Sequence, residues 1–94
     1  MGLEFEWDVN KAALNLGKHR VSFPQAVLAF RDRFAIEWLD DRRDYAENRF
    51  IHLGLSEGHL LTIVFTERAD RIRIISARRA TKDEQAYYNS QNSF

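Results

Sequence analysis

The chain has no cysteine, a single proline and only four glycines in 94 residues. Without cysteine there is neither a disulfide framework nor a thiolate zinc site, a composition that fits a reducing compartment. No apolar run approaches the roughly eighteen residues that cross a bilayer. The opening residues Met1 to Glu6 are acidic where a signal peptide would be basic, so we expect a cytoplasmic protein with no membrane partner. There is no dense carboxylate cluster able to hold magnesium, and no His-Glu spacing of the zinc type. Charge of one sign is also lacking: 14 basic and 14 acidic residues give a formal net charge of zero. That balance argues against a nonspecific polycationic coat for DNA, but not against a local patch that binds polyanions.

What is present suffices for one domain over residues 1–94. The length is near the lower limit for an unstapled core, and 45% hydrophobic residues, among them seven Phe, three Tyr and two Trp, can build it. Leu3, Phe5 and Trp7 alternate with Glu4 and Glu6, the period of a strand. Asp8 is a good N-cap for a helix over residues 9 to 19, weakened near its end by Gly17. Ser22 and Pro24 start a second short helix with Phe23, Ala26, Val27 and Phe30 on one face. Strands are expected over 34–39, 49–56, 59–66 and 71–78, with a polar, acidic loop between the first two and Glu57-Gly58 as a hairpin turn. Leu60 to Phe65 is almost continuously apolar and reads as the central strand. Adjacent Ile74 and Ile75 point to a twist or bulge, and Thr81 with Glu84 forms a capping box for a last helix reaching about Ser90. The expected fold is α+β: a small, mostly antiparallel sheet with an N-terminal helical hairpin on one face and a C-terminal helix, the helices sharing one side.

Charge is concentrated in residues 66–81. Arg68, Arg71, Arg73, Arg78 and Arg79 face only Glu67 and Asp70 in that stretch, a local excess of three positive charges that marks a place for an anion. The plain alternative is a solvated face whose arginines pair with Glu67, Asp70, Asp83 and Glu84.

Several blocks resemble one family. Phe5-Glu6-Trp7-Asp8, Asn10-Lys11-Ala12, Asn15-Leu16, Lys18-His19, Val21-Ser22-Phe23 and Ala26 look like the N-terminal signature of BrnT toxins. Thr66-Glu67-Arg68, the run from Ile72 to Thr81, and Glu84 with Tyr88 continue the match, so it spans residues 5 to about 88. The resemblance implies a RelE-like fold and a type II toxin: a bacterial ribonuclease that needs no metal or other cofactor and inhibits translation and growth. It also implies a BrnA-like protein antitoxin, with operator DNA bound only through the antitoxin complex. One departure is Arg20, where relatives often carry Gly after the Lys-His pair. It should leave the helix end less free to adopt a left-handed cap.

Metal-free cleavage of RNA requires a base for the 2′-hydroxyl, an acid for the leaving 5′ oxygen and cations for the phosphorane. His19, Glu67, Arg73 and Arg79 are the expected catalytic residues. Lys18, Arg49, Arg68 and Arg78 are expected to bind RNA phosphates. Consecutive Arg78 and Arg79 cannot share a strand face, and Arg78 is the better candidate for a supporting role. His19 can instead satisfy the last carbonyls of its helix, with Lys18 favoured there by the helix dipole. Tyr87 and Tyr88 can stack a base or serve as core and partner contacts. His52 and His59 have no assigned role. The alternative function is a noncatalytic corepressor subunit that binds an antitoxin and, with it, operator DNA.

Overall fold

The protein is described here from a computed structural model covering residues 3–93. Alternating two-residue and helical periods divide the chain into β1 (Glu4–Trp7), α1 (Val9–His19), α2 (Phe23–Ala29), β2 (Ile36–Asp40), β3 (Arg49–Ser56), β4 (His59–Arg68), β5 (Arg71–Arg79) and α3 (Lys82–Asn92). The strands form one mixed sheet in the order β1-β5-β4-β3-β2. The apolar β4 is therefore central, as its run of residues predicts. Antiparallel pairing links β2 to β3, β3 to β4 and β4 to β5, while β1 runs parallel to β5, with Phe5 opposite Ile72 and Trp7 opposite Ile74.

The caps explain where the helices start. Asp8 Oδ1 accepts from Asn10 N, Ser22 Oγ accepts from Gln25 N, and Thr81 and Glu84 exchange the two bonds of the capping box. Helix α1 ends at Arg20, which adopts φ 60° and donates its N–H to the Leu16 carbonyl. The missing glycine does not prevent a left-handed cap here; Arg20 takes the conformation despite its Cβ.

The core lies between α1 and α2 and one face of the sheet. Val21, Phe23, Ala26 and Ala29 pack on Leu61, Ile63, Ile74 and Ala77, with Phe5, Trp7 and Phe30 at the margin. Two contacts fix this layer. Asn15, buried in α1, takes the place of a strand neighbour where β1 has ended: Oδ1 accepts from Ala77 N and Nδ2 donates to Ala77 O and Val21 O, all at 2.8–3.1 Å. On β3, His52 donates from Nε2 to the Ala29 carbonyl at 2.8 Å, stacks on Phe30, and meets Glu37 through Nδ1 at 2.6 Å. It is a buried tie between sheet and helix.

One expectation is met and one changes. Between Val64 and Phe65 the register with β5 shifts, so Ser76 pairs Val64 while Ile74 pairs Phe65, and Ile75 is the extra residue of a bulge. That bears out the twist expected from adjacent isoleucines. The helices, however, do not share one side. Thr62 and Arg78 alternate with the core residues Ile63 and Ala77 and so face away from α1 and α2; both bond to Glu84 of α3. Helix α3 thus lies on the opposite face, where Tyr87 meets Trp38 edge-on. The reason is composition: α3 buries a single residue, Tyr88, and is anchored by polar bonds that its sequence does not advertise.

Candidate functional site

Helix α3 leaves part of the second face open, and a row of polar side chains crosses all five strands there. Glu6 of β1 is opposite Arg73 of β5, and Arg73 is opposite Thr66 of β4. Continuing the β3–β4 register by one residue sets Arg49 opposite Thr66, and Arg49 is in turn opposite Asp40 of β2. Arg68 and Arg71 stand on the same face, paired with each other across the strands.

Most of these charges have partners. Arg73 donates to Glu6 at 2.8 Å, and this bond, opposed by partial burial and aided by the charges of Arg73, Arg71 and Arg68, lowers the Glu6 pKa. Arg71 reaches Glu6 at 3.6 Å and Glu4 at 3.9 Å, and Arg68 reaches Glu47 at 3.4 Å. The last three are long and exposed, so each contributes little and yields readily to a better anion. Asp40 is different. Arg42 grips both its oxygens at 2.7 and 2.8 Å and Tyr45 adds its hydroxyl, which together hold the Asp40 carboxyl at about 2.

Saturation of Asp40 has a consequence for its neighbour. Arg49 stacks its guanidinium 4.3 Å from the Tyr45 ring centroid, and its Nε is buried with no hydrogen-bond partner among the described residues. A buried donor left unpaired costs roughly 1–3 kcal/mol, and such a group in a folded protein calls for a ligand or a strain-storing role. The loop from Asp41 to Asn48 folds beside this row: the Asn48 carbonyl accepts from buried Thr66 at 2.6 Å, Glu47 meets Arg68, and Tyr45 lies under Arg49.

The expected site residues are spread over five places. Arg49, Arg68 and Arg73 are brought together on the open face. Lys18 and His19 line a groove with Lys11, Asn15, Ile75 and Ser76, beside β5 and three residues past Arg73. Arg78 is occupied in a fork to Glu84, whose carboxyl it depresses to about 2 with help from Thr81 and Thr62. That contact fits a supporting role. Glu67 is opposite Ile72, a position that alternates with Arg73, so Glu67 points to the other side of the sheet. Arg79 stands at the far end of β5, 3.5 Å from His59 in a separate cleft. Tyr88 is a buried anchor, its hydroxyl donating to Asp32 at 2.6 Å. The sequence reading missed Tyr45 and Thr66, which frame Arg49; both sit next to charged positions but carry no spacing signal of their own. Among the described residues no group of three His, Asp or Glu side chains is placed to hold a metal ion, and no helix is long and apolar enough to cross a membrane.

The family model of the ribonuclease toxin BrnT, of type II toxin-antitoxin systems, matches residues 7–84. The chain belongs to this family. Membership brings a ribonuclease activity, and with it an RNA substrate and a protein antitoxin as partner. The matched BrnT region includes β1 from Trp7 through the first turn of α3, so it contains Arg73, Thr66, Arg49 and Asp40 of the row and the His19 groove. No curated protein matches the chain.

Proposed function

We propose that this chain is a RelE-like, metal-independent endoribonuclease that acts in the cytoplasm, inhibits translation, and cuts RNA on the open face of the sheet. The observation that carries the reading is the buried Nε of Arg49, without a hydrogen-bond partner among the described residues, in a row with Arg73. A phosphate between these two guanidinium groups satisfies the donor and meets planar forks suited to its oxygens. Arg68 joins them by exchanging exposed Glu47 for a phosphate oxygen.

In the reaction the 2′ oxygen attacks phosphorus as His19, entering from the groove beside Ser76, takes the 2′ proton. The P–O2′ bond forms, the P–O5′ bond breaks, and solvent water protonates the departing 5′ oxygen. The products are a 2′,3′-cyclic phosphate and a 5′-hydroxyl. Guanidinium groups held in place by Glu6 and Tyr45 stabilise the charge that grows on the phosphorane. Lys18 supplies a further phosphate contact. In this arrangement Arg78 supports α3, while Glu67 and Arg79 lie outside the reacting centre. The antitoxin is BrnA-like and bridges the complex to operator DNA.

The metal-free route has a direct assay. Purified chain incubated with RNA in EDTA is expected to yield fragments ending in cyclic phosphate. Intact RNA in EDTA, with cleavage restored by magnesium, rejects the metal-free route. No cleavage under either condition, together with operator binding in the antitoxin complex, selects the corepressor reading.

A further inference from the structure

Of the five arginines in residues 66–81, Arg79 alone has no carboxylate partner among the described residues; Arg68, Arg71, Arg73 and Arg78 each have one. It lines a cleft of about 440 Å³, formed where α3 leaves β5 and crosses the β3–β4 hairpin. That volume falls in the range of small-ligand sites. The lining divides by chemistry. Arg79 and His59 stand 3.5 Å apart at one side. Gln85 and Asn89, one helical turn apart on α3, present two amides from another, and Leu60 and the Tyr88 ring give apolar surface.

We infer that this cleft is a nucleotide-binding subsite, holding one RNA nucleotide away from the cut. Its phosphate meets Arg79 and His59, its base lies on the apolar surface, and the base edge meets the Gln85 and Asn89 amides. An amide offers a donor and an acceptor together, the pattern that bases present on their edges. The separate Arg79 guanidinium suits phosphate because no carboxylate among the described residues competes for it. Six residues of strand separate Arg79 from Arg73, roughly 20 Å, so the nucleotide bound here is several removed from the scissile bond. This inference rests on the ribonuclease reading for its substrate, but the binding itself does not require cleavage.

The test is a nitrogen-15 NMR titration of the full chain with adenosine 5′-monophosphate, in parallel with inorganic phosphate and a short polyglutamate peptide. Shifts are expected at His59, Arg79, Gln85 and Asn89, with binding weakened at least tenfold by Arg79→Ala and severalfold by Gln85→Ala. All these side chains belong to exposed residues, and the unperturbed remainder of the spectrum shows that each variant folds. Shifts confined to the Arg49 row, phosphate binding as tight as the nucleotide, or tighter binding of the peptide would each overturn the assignment, the last in favour of a protein contact. The two readings fail separately. Nucleotide binding in the cleft without RNA cleavage retires the catalytic row alone, and cleavage without nucleotide binding retires the subsite alone.

Discussion

At the residue scale, two side chains show how much depends on single polar groups. Asn15 supplies a donor and an acceptor to Ala77 and a second donor bond to Val21, all buried. Asn15→Ala leaves the Ala77 N–H and carbonyl unpaired at the edge of β5, and is expected to cost about 2–4 kcal/mol. Urea denaturation measures it; a change below about 0.5 kcal/mol contradicts the strand-neighbour role. The sequence places Asn15 beside Leu16 in a family block, but only the end of β1 at Trp7 makes its amide necessary. Arg49 was legible as a cation at a strand start. Its unpaired Nε was not, because that depends on Asp40 being taken by Arg42 and Tyr45 across two strands and a loop. Likewise the partners of Arg71 and Arg73 come from β1, more than sixty positions earlier in the chain. Local charge counting over residues 66–81 therefore overstated the free positive charge there.

At the element scale, caps, strand periods and the hairpin turn were readable because each depends on neighbours within a few residues. Faces were not. Helix α3 settles on the open face through Glu84, Tyr87 and Tyr88, and nothing in its weakly patterned sequence distinguishes the two sides of the sheet. The parallel docking of β1 against β5 is equally nonlocal. The join between α2 and β3 is tight enough to predict a substitution. A Cβ added at Gly54 meets the Ala29 carbonyl oxygen at 2.7 Å and His52 Nε2 at 2.8 Å, both part of the bond that ties helix to sheet. Neither group can retreat without breaking that bond. Gly54→Ala is expected to destabilise the fold by about 2 kcal/mol or more, read as a lowered denaturation midpoint. An unchanged midpoint means that α2 does not approach β3 as described.

At the scale of the whole molecule, the sheet divides the labour. One face holds the apolar core under α1 and α2; the other carries charge, part of it covered by α3 and part left for an anion. Stability should report the carboxylates that are paired within this face. The Glu84 pKa falls from 4.5 to about 2 on folding, chiefly through Arg78, and that of Asp40 from 3.8 to about 2 through Arg42. A carboxyl with a depressed folded pKa binds fewer protons folded than unfolded, so its contribution is complete above the unfolded value and is lost as pH falls through the folded one. Unfolding free energy is expected to be level above about pH 5 and to decline between about 4.5 and 2. Glu84 contributes up to about 3 kcal/mol of the decline. Glu84→Gln should therefore be less stable at neutral pH and show a shallower acid slope. Equal slopes for the two proteins contradict the pairing.

Whether the open face performs the chemistry is decided most directly by one comparison, the RNA cleavage rate in EDTA for Arg49→Ala against the unmodified chain, with both shown folded by denaturation. The Arg49 side chain stacks on Tyr45 and makes no hydrogen bond or ion pair among the described residues, so the fold is expected to survive. If the phosphate lies between Arg49 and Arg73, the rate falls by about a hundredfold to a thousandfold. A folded Arg49→Ala protein that cuts RNA at the original rate contradicts the account.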